Sequence, residues 1–181
     1  MGGFNIKINF RVLNKEEFPA VYKLMQLSFP AAEFRSYEEG LALFDLSNYQ
    51  VLVVEKYGII DAFIAEWKFQ EFHYVEHFAV NPKERGNGIG TRIMVEYLQQ
   101  VRLPVVIEVE ASSAINAKRR IEFYKRLGFA LSDMEYMQPA LQSTAQDVLL
   151  RLMHYPNVIP NKTLYEIKQE IFKAVYSLNN K

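Results

Sequence analysis

The chain has 181 residues, half of them hydrophobic, which suits one domain with a sizeable core and excludes a disordered protein. Lys plus Arg number 21 and Asp plus Glu number 21, so the formal net charge is zero, against general nucleic-acid binding, which needs a net basic footprint. Zero cysteines exclude a disulfide framework, a Cys-based zinc site and an acyl-cysteine mechanism together. Residues 1–12 lack the apolar stretch and small-residue cleavage site of a leader, and no run approaches the roughly 20 apolar residues of a membrane span. The expectation is a cytoplasmic protein without a membrane partner.

Ile6, Ile8, Phe10 and Val12 recur at period two, the pattern of a strand with one buried face. Asn14 with Glu17 reads as a capping pair before a helix carrying Phe18, Val21 and Met25, and Ser36 with Glu39 repeats it before Leu41 and Phe44. Gln50 to Lys56, Ile59 to Phe69 and Phe72 to Val80 are β-favouring and too closely spaced for helical crossovers, so they predict an antiparallel meander. After Asn81-Pro82 the period changes. Ile89, Ile93, Tyr97 and Val101 mark an amphipathic helix over Gly88 to Arg102, then come a strand Val105 to Val109 and a helix Ser113 to Leu127 stopped by Gly128. A strand begins at Phe129, Tyr136 to Pro139 reads as a turn or loop, and Asp147 to His154 is a last strand. Thr163 with Glu166 caps a C-terminal helix whose Leu164, Ile167, Ile171, Val175 and Leu178 share a stripe. That stripe either covers the protein's own sheet or meets a second copy, so a homodimer is one expectation. The fold class expected is α/β of the α+β type: a mixed, largely antiparallel sheet with a parallel βαβ unit and flanking helices. One domain over residues 1–181 is expected, with a core of about 6–153 and an added helix at 160–179.

The most informative residues are Arg85-Gly86-Asn87-Gly88-Ile89-Gly90-Thr91, between a strand and a helix. Residues without side chains let consecutive backbone N–H groups converge on an anion, and a helix N-terminus adds partial positive charge, so a pyrophosphate fits there. No Lys-Ser/Thr follows as in a Walker loop, and the glycines miss the dinucleotide spacing G-x-G-x-x-G. Taken alone, the loop could equally be a tight turn that packs a helix on a sheet.

Val80-Asn81-Pro82 followed by Arg85-x-x-Gly88-x-Gly90 resembles the acyl-CoA signature of the GNAT superfamily of N-acetyltransferases, Q/R-x-x-G-x-G/A after a strand. Phe123-Tyr124-Lys125-Arg126-Leu127-Gly128-Phe129 is similar to the tyrosine-bearing helix end of the same superfamily. One departure is visible: many members place an asparagine seven residues before the tyrosine, and here that position is Ala117, with Asn116 one earlier. The resemblance spans residues 6–153 and implies acetyl-CoA as acyl donor. It implies that the strand Tyr74 to Val80 splays from its neighbour, that the backbone of Phe78 and Val80 pairs with pantetheine, and that Arg85 to Thr91 hold the pyrophosphate.

Transfer of an acetyl group to an amine needs loss of an amine proton, an oxyanion donor and a proton for the thiolate. The resemblance implies Tyr124 as that proton donor, and a phenol with pKa near 10 can donate at neutral pH. The alternative is a tyrosine packed in the core with its hydroxyl bonded to backbone. Glu76 is the expected base: strict alternation puts it on one face with Tyr74, Phe78 and Val80, where an apolar surrounding raises a carboxyl pKa, while His77 faces the other way. Glu108, Glu110 and an ordered water compete with it. The expected acceptor is an amine on a small molecule or peptide.

His73-Tyr74-Val75-Glu76-His77 literally matches the metallopeptidase string H-x-x-E-H, but that motif needs a helix and these residues favour a strand, so no metal is expected. A non-catalytic acyl-CoA sensor on the same fold is a third reading. Lys118, Arg119, Arg120, Lys125 and Arg126 read as a solvated helix face. Residues 30–79 hold nine acids against three bases, and residues 83–126 hold nine bases against five acids, which suits a polyanionic donor on one side and a cationic acceptor on the other.

Overall fold

The computed structural model describes residues 8–111, 114–139, 141 and 148–177. Strand β1 (Arg11–Val12) leads through helices α1 (Phe18–Ser28) and α2 (Tyr37–Ala42) to the meander β2 (Tyr49–Lys56), β3 (Ile59–Lys68) and β4 (His73–Val80). Then follow α3 (Ile89–Gln100), β5 (Val105–Glu110), α4 (Ile115–Arg126), β6 (Ala130–Gln138), β7 (Val148–Tyr155) and α5 (Asn161–Ile171), which runs on into a wide π turn at Phe172–Tyr176.

The strands form one seven-stranded sheet in the order β1-β2-β3-β4-β5-β7-β6. Every pair is antiparallel except β4 with β5. The expected βαβ unit is therefore present at β4-α3-β5, and β7 inserts between β5 and β6.

The sheet has apolar side chains on both faces. Val51, Val53, Phe63, Ala65 and Trp67 pack with Phe18, Val21 and Met25 of α1 and with Leu164, Ile167, Ile171 and Val175 of the C-terminal segment. Ala62, Ile64, Val75 and Ile107 pack on the other side with Ile93, Met94 and Tyr97 of α3 and Tyr124 of α4. The C-terminal stripe thus covers the protein's own sheet, with Leu178 outside the described residues.

Local chemistry explains the helix starts. Ser36 Oγ accepts from the Glu39 N–H (3.3 Å) and the Glu39 carboxylate accepts from the Ser36 N–H (3.1 Å). Glu17 likewise accepts from the Asn14 N–H (3.0 Å).

Three expectations are corrected. Within the described residues, which exclude Ile6, the first strand is only Arg11–Val12, with Val12 exposed and Leu13 buried, its N–H held by the Val51 carbonyl (2.8 Å). Tyr136 to Gln138 are not a turn but the end of β6, paired with Leu150, Leu149 and Val148. Thr163 lies inside α5, which begins at Asn161 after Pro160, so it caps nothing.

Candidate active site

Strand β4 carries one more residue than its partner opposite. The register passes from Ala65 opposite His77 to Glu66 opposite Val75, leaving Glu76 as a bulge. A bulge breaks strict alternation. Glu76 and His77 accordingly lie on the same side, against Trp67 and Phe29, while Phe78 and Val80 pack with the opposite core beside Phe123. The expectation that Glu76 shares a face with Phe78 and Val80, and that His77 turns away from it, is overturned by this single inserted residue.

The parallel pairing of β4 with β5 ends just before the bulge, at Val75 opposite Ile107. Beyond that point a cleft of about 500 Å³ opens between the strands, with Glu76 to Val80 on one wall and Glu108 and Glu110 on the other. It extends to Arg85 and Gly90 at one end and to Gln138, Leu150 and Tyr176 at the other. Strand backbone that β5 no longer pairs and the glycine loop thus meet one cavity.

The loop Arg85 to Gly88 is exposed and turns directly into α3, with Gly88 as N-cap at φ 72°. That left-handed conformation is one glycine adopts freely and a branched residue resists. The first N–H groups of α3, from Ile89, Gly90 and Thr91, have no intrahelical acceptor by geometry and open toward the loop. A Cβ on Gly90 would touch Val80 (3.5 Å), Phe78 (3.8 Å) and Phe123 (3.9 Å), so the helix approaches the cleft wall closely here. Arg85 Nε donates to the Val80 carbonyl (2.8 Å) and Nη2 to Ser28 Oγ (2.9 Å), so its guanidinium bridges the loop to β4 and α1. Asn87 and Thr91 are exposed beside it.

Tyr124 comes from the last turn of α4. Its ring is held edge-on by Phe123 (5.1 Å) and Phe129 (5.3 Å), its residue is 7% exposed, and it lines the cleft. Among the described residues its hydroxyl has no hydrogen-bond partner. Burial pushes the phenol up to about 12, against a lowering by Arg120.

The two carboxylates of the cleft live in different surroundings. Glu76 forms an ion pair with Arg35 and accepts from Trp67 Nε1 (2.8 Å). Burial opposes its charge, but Arg35, His77 and Trp67 outweigh it, so its pKa is lowered rather than raised as expected. Glu108 takes three phenols instead: Tyr136 (2.6 Å) on Oε1, and Tyr74 (2.6 Å) and Tyr176 on Oε2. Phenols donate hydrogen bonds without bringing a positive charge. Burial therefore prevails, assisted by the nearby Glu76 charge, and the Glu108 pKa is raised.

His73 and His77 sit on a strand, and the bulge sends them to opposite sides of it. His73 Nδ1 meets Glu66 (2.7 Å), a carboxylate that also accepts from Tyr97 and Gln50, whereas His77 Nε2 meets the Glu33 carbonyl (2.7 Å). A carbonyl only accepts, so His77 Nε2 donates to it, and the buried Nδ1 has no hydrogen-bond partner among the described residues. The H-x-x-E-H string therefore cannot converge on one ion. No cluster of three or more His, Cys, Asp or Glu suited to a metal exists among the described residues.

On α4, Lys118, Arg119, Lys125 and Arg126 are exposed, while Arg120 lies over Phe29 and pairs with Glu33 (3.3 Å). Asn116 is exposed and Ala117 buried. Arg35, Trp67, Tyr136 and Tyr176 escaped the sequence reading of the site. No motif marks them; the one hint was an Arg-for-acid pairing within the acid-rich residues 30–79. No helix among the described residues is long and apolar enough to cross a membrane.

The family model described as an acetyltransferase (GNAT) domain matches residues 47–131. No curated protein sequence matches the chain. Among solved structures, a protein assigned to the GNAT acetyltransferases from Bacteroides thetaiotaomicron is 32% identical, with a TM-score of 0.85 over 93% of this chain and 98% of that one. The ribosomal-protein-S18-alanine N-acetyltransferase from Escherichia coli shares the fold at 20% identity, with a TM-score of 0.62 over 88% of this chain and 99% of the other. A GNAT family acetyltransferase from Elizabethkingia anophelis, solved with acetyl-CoA bound, does so at 18% identity and a TM-score of 0.60, covering 83% and 98%. With a relative 32% identical over nearly its whole length, and a sheet that opens beside a glycine loop, the chain belongs to the GNAT family of acetyltransferases.

Proposed function

We propose that the protein moves the acetyl group of acetyl-CoA directly to an amine, with Tyr124 as the acid and Glu108 as the base. The observation that carries this reading is the pair of groups in one cleft: a tyrosine hydroxyl without a hydrogen-bond partner among the described residues, and a carboxylate held by neutral phenols with its pKa raised. The amine nitrogen attacks the thioester carbon, its proton passes to Glu108, the C–S bond breaks, and the departing sulfur takes the Tyr124 proton. A backbone N–H of β4 near Val80 stabilises the oxyanion.

Glu76 is less suited to the base than Glu108, because Arg35 holds it charged and unreceptive. It serves as a fixed anion beside the reaction. The N–H groups from Gly86 to Gly90, with Arg85, Asn87 and Thr91, take the pyrophosphate, and the backbone of Phe78 and Val80 takes pantetheine once Arg85 releases the Val80 carbonyl. The acceptor is a small molecule or peptide amine, favoured when cationic because Glu108 and Glu110 line the cleft without an ion pair among the described residues, whereas Glu33 there is paired with Arg120. The reading needs no metal and no nucleic acid, treats residues 1–181 as one domain, and places the protein in the cytoplasm, where acetyl-CoA is supplied.

Acetyl-CoA turnover with a panel of amines tests it. Amine-dependent CoA release with acetylated product supports transfer; tight acetyl-CoA binding with no turnover on any amine supports a sensor instead.

A further inference from the structure

Tyr176 belongs to the wide turn after α5, well outside residues 47–131 that carry the family match. We infer that Tyr176 is a positioning residue for acetyl transfer: its phenol fixes the Glu108 carboxylate so that Oε1 faces the amine. The inference rests on Glu108 being the base.

The π turn makes this contact possible. Ile171 and Val175 are buried at the ordinary spacing of four, and the widened turn brings Tyr176 inward as well, where a regular helix would rotate it away. Tyr176 is 3% exposed and its ring packs edge-on against Phe172 (5.2 Å), which in turn meets Tyr136 (5.6 Å). A carboxylate offers about four acceptor positions, two on each oxygen. Tyr74 and Tyr176 fill those of Oε2, and Tyr136 fills one on Oε1. The position left open is on Oε1, which makes it the atom that receives the amine proton.

The same turn also reaches the second carboxylate. The Val175 carbonyl accepts from Arg35 Nη2 (2.9 Å), and Arg35 pairs with Glu76. One turn of backbone thus sets both anions of the cleft.

The charged and titratable groups facing Glu108 are Tyr74 and Glu76 from β4, Tyr136 from β6 and Tyr176. The three phenols favour its charged form and Glu76 disfavours it. Tyr176→Phe removes one phenol and keeps the packing. The acid limb of kcat/KM then moves up by about one pH unit, kcat/KM at pH values below the limb falls roughly tenfold, and the Kd for acetyl-CoA stays unchanged. Replacing Tyr176 by a monofluorinated tyrosine, a stronger donor, moves the limb the opposite way. A limb that stays in place in both variants, whatever happens to Tm, overturns the inference and leaves Tyr176 as packing only. If wild type acetylates no amine at all, the transfer reading falls and this one with it; if wild type is active and the limb is unmoved, only this one falls.

Discussion

Arg35 and Glu76, 41 residues apart in sequence, form an ion pair in which each side chain is 4% exposed. Burying two charges is costly, and removing one partner strands the other without water. Arg35→Met or Glu76→Gln should each destabilise by about 3–5 kcal/mol, and the double variant by less than their sum. Urea unfolding measures this, and a cost under about 1 kcal/mol for either single variant would contradict it.

The pH dependence of stability should carry two signs. Glu66 and Glu76 have lowered pKa values, Glu66 through His73, Tyr97 and Gln50, and Glu76 through Arg35. Their contribution is present above the unfolded carboxyl value of about 4.3 and is lost as pH falls through the folded values. Glu108 is raised, so its contribution is full below the unfolded value and is lost as pH rises through the folded one. Relative to wild type from about pH 2 to pH 8, Glu108→Gln should therefore gain stability as pH rises above about 4.3, while Glu66→Gln and Glu76→Gln should lose it as pH rises toward about 4.3 and run parallel to wild type above that. Melting scans across that window check the signs, and parallel curves for all three would refute the assignment.

Tyr124→Phe should lower kcat by roughly 10²-fold while sparing the Kd for acetyl-CoA, since only the departing sulfur needs the proton. With the phenol pushed up to about 12, ionisation of this residue should produce no descending limb through pH 10. Single-turnover rates over pH test both points. An unchanged rate of the chemical step would return Tyr124 to a packing role.

Gly88→Val and Gly90→Val should abolish the heat protection given by acetyl-CoA, for different reasons. At Gly88 the φ of 72° strains any branched residue. At Gly90 the backbone is ordinary and a methyl makes only van der Waals contact at 3.5–3.9 Å, so Gly90→Ala should keep both fold and binding, whereas the valine methyls collide with Val80, Phe78 and Phe123. Thermal shift and calorimetry with acetyl-CoA decide, and loss of binding in Gly90→Ala would argue against this account.

The loop at Arg85 to Thr91 and the end of α4 were legible in sequence because glycine and tyrosine at fixed spacings act locally. The meander and the helix starts at Ser36 and Phe18 were legible for the same reason. The surroundings of Glu76 were not, because alternation carries no sign of an inserted residue: the bulge is a property of two strands paired, and β3 supplies half of it. Arg35 and Tyr176 reach the site from distant segments, and only the packed chain reveals that they meet its carboxylates. The end of β6 was misread because Pro139 looks like a turn residue, while the pairing of Tyr136 to Gln138 with β7 keeps those three extended.

The place of β7 has a consequence for synthesis. β6 leaves the ribosome first, yet among the described residues its sheet neighbour is β7 alone, and β7 is also what joins it to β5. Until Val148 to Tyr155 emerge, β5 and β6 have no partner on their shared side, and Glu108 meets neither Tyr136 nor Tyr176. Open strand edges of this kind invite pairing between nascent chains. The half of the protein that carries β2 to β4 and the glycine loop can form early and locally, whereas the half that brings Glu108 to Tyr136 and Tyr176 closes late, so a slow step in translation just before Val148 would expose an aggregation-prone intermediate.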